Sequence, residues 1–470
     1  MGSLPLTRTF NPHPYQNLIV DHIHQHDRCA VWAGMGMGKT VSTATALASR
    51  YHLGDDYPTL IAAPLRVARD TWPDEFKKWS HLKSFDVMPI IGSEQERRFA
   101  LRRDVPFYTV NYENLPWLID YLGERWPFRR VVADESTKLK GFRLKQGGKR
   151  AQALGSVAHT KIKQLIELTG TPAPNGLADL WGQGWFLDAG ARLGRTYDAF
   201  RQRWFQKSFD GYRVDPLPFA QEQIQDKLRD LCITIDPKDW FDLEEPIVNN
   251  IFVDLPPKAR VKYREMEREM FTQLEGRGVE AFNAAARTQK CLQIANGAAY
   301  VDPLADSDSH RKSKEWRLVH DEKLDALEDV IEEAAGMPVL VAYEFRSDLA
   351  RIRARFKDSA DLSTTDGLRR FKEGKVLVGC AHPASMGHGI DGLQYVTNIA
   401  CFFGHNWNLE YYQQIIERIG PMRQLQAGLD RAVFLHHIIA RDTVDEDVML
   451  RRETKREVQD LLLDAMKRRR

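Results

Sequence analysis

The run Ala33-Gly34-Met35-Gly36-Met37-Gly38-Lys39-Thr40 sets a small residue, four residues of any kind and then Gly-Lys-Thr in order. That is the spacing of a phosphate-holding loop. Gly34, Gly36 and Gly38 let backbone N–H groups surround a phosphate, and the N-terminus of a following helix adds partial positive charge. In such a loop Lys39 reaches the β- and γ-phosphates and Thr40 holds a Mg²⁺ ion. A second run, Val131-Val132-Ala133-Asp134-Glu135, is apolar and ends in two acids. Hydrolysis of a nucleotide needs one carboxylate at a strand end for the metal and another group to orient or deprotonate the attacking water. Asp134 suits the first task and Glu135 the second. A Gly-rich turn or a solvated acid pair would explain either run alone. The two in this order predict a nucleotide-hydrolysing site.

Elements must position these residues. Trp32 and the apolar residues before it read as a strand end, and Val41 to Arg50 as a helix. Ala30–Ala33, Thr59–Ala63, Phe107–Val110, Val131–Ala133 and Leu165–Leu168 read as short buried strands with helical segments between them, which predicts βαβ units and a parallel sheet. Residues 177–235 turn aromatic and helical, with Trp181, Trp185, Phe186, Phe200, Trp204 and Phe205. They are expected to form a helical insertion packed on the first domain. Pro246 and Pro256-Pro257 punctuate the middle, 258–300 reads as long and helical, and 303–318 as a solvated loop. Strands then resume at Val339–Ala342, Val376–Gly379, Thr397–Phe403 and Val433–Ile438, and a charged helix over 443–470 closes the chain.

The chain has 470 residues, of which 43% are hydrophobic and 28% charged, the balance of a globular protein with more than one core. No apolar stretch approaches the ~20 residues of a membrane span, so no membrane association is expected. The five cysteines are scattered and contain no Cys-x-x-Cys pair. That argues against a disulfide framework or structural zinc and for a cytoplasmic setting. A net charge of +2 means that a polyanion must meet a local basic patch.

Leu168-Thr169-Gly170-Thr171-Pro172 completes a series. Gly-Lys-Thr, Asp-Glu and Thr-Gly-Thr-Pro in this order resemble the superfamily 2 helicases and translocases. Further matches resemble their Swi/Snf branch, the chromatin-remodeller-like motors, in a compact bacterial or phage type. Pro14-Tyr15-Gln16 looks like the adenine-reading segment, with Gln16 on the base. Ala63-Pro64-Leu65 with Trp72 and Trp79 looks like the segment that tracks a DNA strand, and Asn111-Tyr112-Glu113 takes the place of Thr-Tyr-Glu. Gly387-His388-Gly389-Ile390-Asp391 resembles Gly-Leu-Gly-Ile-Asn. Trp407-Asn408, Gln414 and Arg418 keep the spacing of the last motif.

The resemblance implies an α/β protein of two RecA-like parallel-sheet domains in tandem forming an ATP cleft, with helical insertions. Domain 1 is expected over 1–240 with the insertion at about 177–235. Domain 2 is expected over 241–470, with an insertion at about 256–318 and the arginine motif at 413–424. The resemblance assigns Gly389 and Asp391 to the nucleotide, Thr169, Thr171 and Gln414 to coupling, Pro64 and Thr171 to DNA, and an arginine to the transferring phosphoryl group. ATP and Mg²⁺ are the implied cofactors. The family has a second arginine three residues after the first. Here that position is Pro421, and the next arginine is Arg423. Gly420-Pro421 is expected to end the helix, which predicts Arg423 on a turn, so that either Arg423 swings in as the second catalytic arginine or only Arg418 reaches the nucleotide.

Directly after Glu135, residues 136–150 carry six basic residues, Lys138, Lys140, Arg143, Lys145, Lys149 and Arg150, and no acid. Their glycines predict a mobile loop, and Lys138, Lys140, Arg143 and Lys145 are candidate DNA contacts. The sequence thus predicts a DNA-dependent ATPase, a monomer that translocates on duplex DNA in a bacterial or phage-infected cell, with a protein partner for targeting. A strand-separating helicase is the runner-up. A nucleotide-gated DNA-binding adaptor with little turnover is the rival from another class.

Overall fold

The computed structural model describes residues 7–467 apart from positions 35, 56, 146, 175, 208–213, 276–280, 301–314, 387–389 and 430. The chain divides into two compact units, residues 1–242 with 455–470, and residues 243–454. Each is built on a parallel sheet.

In the first unit, α1 (Pro14–Gln25) precedes β1 (Arg28–Ala33), and α2 (Lys39–His52) follows it. The sheet continues with β2 (Thr59–Ala63), β3 (Val87–Ile90), β4 (Phe107–Asn111), β5 (Arg130–Asp134), β6 (Gln164–Thr169) and β7 (Cys232–Ile235). Its order is β3-β4-β2-β5-β6-β1-β7, all parallel. Strands β2, β4 and β6 are buried along their whole length, so even their polar residues, Thr59, Thr109, Asn111, Gln164, Glu167 and Thr169, lie inside. The order makes β5, β6 and β1 neighbours. Trp32 pairs with Thr169, and Leu168 with Asp134, so the phosphate loop, the two acids and Thr169 all leave the sheet at adjacent carboxyl ends. Open α/β sheets bind ligands at that edge.

The insertion after β6 differs from the expected helical block. It holds α3 (Leu180–Asp188), further helices Tyr197–Trp204 and Ala220–Leu228, and a short antiparallel pair, Phe205–Lys207 with Val214–Pro216. It ends before 235, because Cys232–Ile235 is β7 and pairs with β1. Four apolar or β-branched residues were too short a run to stand out after an aromatic helical stretch. Trp181, Phe186, Phe200 and Trp204 are buried in the main core, so they are packing residues and not an exposed stacking surface.

The second unit contains β8 (Ile247–Val253), β9 (Val339–Ala342), β10 (Ser359–Asp361), β11 (Val378–Ala381), β12 (Ile399–Phe402) and β13 (Phe434–Ala440), in the parallel order β8-β13-β12-β9-β11-β10. Alternate residues of β9 feed opposite cores, Leu340 and Ala342 one and Val339 and Val341 the other, so this sheet too is covered on both faces. The strand expected at Val376–Gly379 lies two residues later. The long middle segment is two helices, Pro257–Glu275 and Ala281–Asn296. Trp316–Leu318, read as part of a solvated loop, pairs with Ala298–Tyr300. Helix α4 (Leu409–Ile419) stops at Gly420, and Pro421 opens a second helix, α5 (Pro421–Gln426). Proline ends one helix but suits the first turn of the next. Arg423 is therefore on a helix, which corrects the expected turn. The closing helix spans Val444–Lys467, and residues 468–470 lie outside the described residues.

Candidate active site

Gly36 and Gly38 both take left-handed backbone conformations, φ 82° and 69°, just before α2, a conformation that favours glycine. A Cβ on Gly38 would collide with the Gln16 amide nitrogen. Gln16 is buried in the first turn of α1, where its Oε1 accepts the His13 N–H at 2.8 Å. The side chain expected to read adenine thus lies directly against the phosphate loop. Gly34 is equally constrained, since a Cβ there would meet the Pro237 ring at 2.9 Å. Lys39 Nζ donates to the carbonyls of Ala33 at 2.5 Å and Gly34 at 3.1 Å. Thr40 sits beside it in the first turn of α2.

The acids end β5. Asp134 Oδ2 accepts the Trp72 indole N–H at 2.9 Å. Burial pushes its carboxyl up to about 6, with Glu135 adding to the rise and the Trp72 bond and Lys39 opposing it. Part of its surface still meets solvent. A carboxyl short of positive charge in that position fits a cation. Glu135 occupies the left-handed region at φ 65° and ψ 59°, a strained conformation for a residue with a side chain. Its Oε1 accepts the hydroxyls of Thr137 at 2.8 Å and Thr169 at 3.1 Å. Thr169 Oγ1 accepts the Thr171 N–H at 3.0 Å. The Thr-Gly-Thr-Pro loop is therefore bonded to the acid that follows β5. Thr171 is buried, so its place is in this network and not on an exposed DNA face.

Trp72 corrects another expectation. It is fully buried and spends its N–H on Asp134, so it does not lie on a DNA-tracking surface. Pro64 remains partly exposed beside exposed Leu65 at the end of β2. Tyr112 is also buried, and its hydroxyl donates to the carbonyls of Asp134 at 3.0 Å and Glu135 at 3.5 Å. Sequence reasoning missed Gln183 altogether. Its amide accepts the Ser136 hydroxyl at 2.9 Å and donates to the Pro172 carbonyl at 2.7 Å. The available signal was one long polar side chain inside the run Leu180-Trp181-Gly182-Gln183-Gly184-Trp185-Phe186.

The basic segment is more ordered than a mobile loop. Ser136–Leu139 form a single helical turn, and Phe142 is buried in the main core. Lys140 lies 3.9 Å from Asp179. Arg143 stacks 3.4 Å over the Tyr197 ring, while Lys145 is exposed. Arg150 pairs with Glu113 at 3.0 Å.

In the second unit, Arg418 is buried on α4 and donates to the carbonyls of Met386 at 3.0 Å and Ile390 at 2.9 Å. Arg423 meets Asp391 at 3.4 Å, with 20% and 71% of the two side chains exposed. Gly387, His388 and Gly389 lie outside the described residues. Both arginines thus address the ends of the same segment. Gln414 is buried and donates to Glu410 at 3.1 Å.

A phosphate loop, a half-buried acid at the end of β5 and a strained acid bonded to the next strand's threonine make a core of the helicase ATPase type. A family model described as the SNF2-related domain matches residues 21–299. The chain belongs to the SNF2-related family, as an ATPase core that is chromatin-remodeller- and helicase-like. It is 52% identical over 468 residues to "Putative protein p41" of Acyrthosiphon pisum secondary endosymbiont phage 1, covering 98% of this chain and 100% of that one. It is 33% identical over 164 residues to Helicase SWR1 of Mycosarcoma maydis, covering 33% of this chain and 8% of that helicase. Among solved structures, the Sulfolobus solfataricus SWI2/SNF2 ATPase core in complex with dsDNA aligns over 98% of this chain and 94% of its own, with 20% identity and a TM-score of 0.44.

Proposed function

We propose that this protein is a DNA-dependent ATPase that moves along duplex DNA. The observation that carries the reading is the bonded path from Thr169 through Glu135, with the basic segment beginning at the next residues. Lys39 and the amides of Gly36 and Gly38 bind the β- and γ-phosphates. Gln16, already against the loop, reads the base. Glu135, fixed by two hydroxyls, orients the attacking water and takes its proton. Thr40 and Asp134 would hold Mg²⁺, whose charge offsets that of the phosphate oxygens. Thr169 and Thr171 pass the state of the nucleotide to the rest of the unit, and Gln414 does so in the second. Asp391 and Gly389 belong to the nucleotide-responsive segment, and Arg423 or Arg418 supplies positive charge to the transferring phosphoryl group. Pro64, Lys138, Lys140, Arg143 and Lys145 are the DNA-facing residues. We place the protein in the host cytoplasm as a monomer that a protein partner directs to its DNA.

A second reading, an adaptor that switches on nucleotide binding with little turnover, is favoured by the Arg423–Asp391 pair, which occupies a candidate catalytic arginine. ATP hydrolysis measured side by side with duplex, single-stranded and forked DNA and with RNA separates these. Stimulation greatest on plain duplex is expected. Stimulation only on forked DNA would make strand separation the function, and none on any nucleic acid would leave the adaptor.

A further inference from the structure

Three consecutive residues of α3 touch three functional stretches of the first unit. Trp181 stacks on Phe142 of the basic segment with ring centroids 6.0 Å apart. Gly182 lies so close to the root of that segment that a Cβ would sit 2.5 Å from the Lys140 carbonyl oxygen and 2.8 Å from that of Leu139. Gln183, only 3% exposed, joins Ser136 to Pro172 and also donates to the Asp179 carbonyl at 3.1 Å. Its neighbours along the helix are apolar, and an apolar side chain would satisfy the core without needing partners. A buried amide is tolerated only when its hydrogen bonds are made, and here they are made to the two loops that flank Glu135.

Ser136 is the residue after Glu135, whose left-handed backbone does not hold itself. We infer that Gln183 is a positioning residue that clamps Ser136 to the Pro172 carbonyl, so that the Glu135 turn, the Thr-Gly-Thr-Pro loop and the root of the basic segment move as one body. A phosphate backbone gripped by Lys138, Lys140 or Lys145 then displaces the same rigid turn that aims the carboxylate. Misplacing a reacting group by about 1 Å costs on the order of 10²-fold in rate, so a clamp of this kind acts on turnover before it acts on binding.

The inference rests on Glu135 as the water-orienting group, and the test separates the two. Steady-state ATPase of the full chain at saturating duplex DNA is compared for wild type, Ser136→Ala, Gln183→Leu, the double variant and Glu135→Gln. Ser136→Ala cuts the clamp by removing one hydroxyl, so it keeps the test open even if Gln183→Leu fails to fold. Each single variant is expected to lower kcat by about tenfold with KM for ATP within about twofold, and the double to be no worse than either single. Gln183→Glu keeps the acceptor for Ser136 but loses the donors, and is expected to rescue little. Wild-type kcat in Ser136→Ala, multiplying losses in the double, or a raised KM with kcat intact would overturn the clamp. Wild-type turnover in Glu135→Gln would instead overturn the reading of the acid on which the clamp depends.

Discussion

Asp134 and Glu135 in the first unit take partners from three separate stretches of chain, Trp72, Tyr112 and Thr169, whereas Arg418 and Arg423 in the second both reach into residues 386–391. The acids are aimed by convergence. Trp72 and Thr169 bond the two carboxylates and Tyr112 bonds the main chain of the turn, so the acids are held before substrate arrives, which is how preorganised sites lower a barrier. The two arginines differ from each other. Arg418 is buried, and withdrawing it would leave two carbonyls short of a donor. Arg423 makes an exposed pair of a kind worth roughly 0–1 kcal/mol, which it can give up at little cost. The difference teaches that the first unit holds its acids through several stretches of chain, while the second holds one arginine buried on two carbonyls and one in an exposed pair.

The largest effect is expected at the phosphate loop. Lys39→Ala removes the side-chain charge that the phosphate loop offers the phosphates, and should lower ATP hydrolysis by more than about 10³-fold. Measurable turnover near wild type would mean that the phosphates are held elsewhere. Next comes the contrast between the arginines. Arg423→Ala should cut DNA-stimulated turnover by about 10³-fold with ATP affinity unchanged, as for a group that acts in the transition state only. Asp391→Asn frees Arg423 and should leave turnover nearly intact. If Asp391→Asn is as damaging as Arg423→Ala, the pair is structural and Arg418 alone serves the chemistry. Arg418→Ala should lower the unfolding temperature as well as turnover, because it strips partners from the Met386 and Ile390 carbonyls.

Smaller effects test the edges of the first unit. Lys145, exposed on the basic segment, is the cleanest phosphate contact. Lys145→Ala should reduce the slope of log affinity against log salt for duplex by roughly 0.9. Arg143→Ala should change it less, because Arg143 is already stacked on Tyr197. An equal slope for both variants and wild type would make the segment a solvated run. The smallest effect concerns Glu167, buried in β6 with its Oε1 unpartnered. Burial holds its carboxyl well above its ordinary value, and Arg28 only partly offsets this. The folded chain keeps a proton that the unfolded chain releases above about 4.5, so stability is fullest below that pH and falls as pH rises past it. Glu167→Gln should remove a slope of up to roughly 1 kcal/mol per pH unit, read as a larger gain in denaturation midpoint at pH 8 than at pH 5.

Much of this was legible in the chain itself. Thr59–Ala63 and Val339–Ala342 match the expected bounds to the residue because each is a short apolar or β-branched run that follows a proline. The β7 strand was hidden because Cys232–Ile235 follows a helix-rich stretch and pairs with a strand two hundred residues earlier. The acids and the loop were visible as motifs. Their supports were not, because Trp72 and Tyr112 become partners of the Asp134–Glu135 turn only when β2, β4 and β5 align. Gln183 was invisible for the same reason, since nothing local says that a glutamine on α3 faces Ser136. Arg423 was misplaced onto a turn because Gly-Pro reads as a stop, and the same proline is also a start.

The most direct measurement is hydrolysis and binding of ATP by Glu135→Gln in one preparation with saturating duplex DNA. An amide in that position keeps the shape of the turn but cannot take a proton from water. ATP binding at the wild-type level with hydrolysis reduced by at least about 10²-fold is the result expected if the acid turn performs the chemistry. Hydrolysis at the wild-type rate would contradict it.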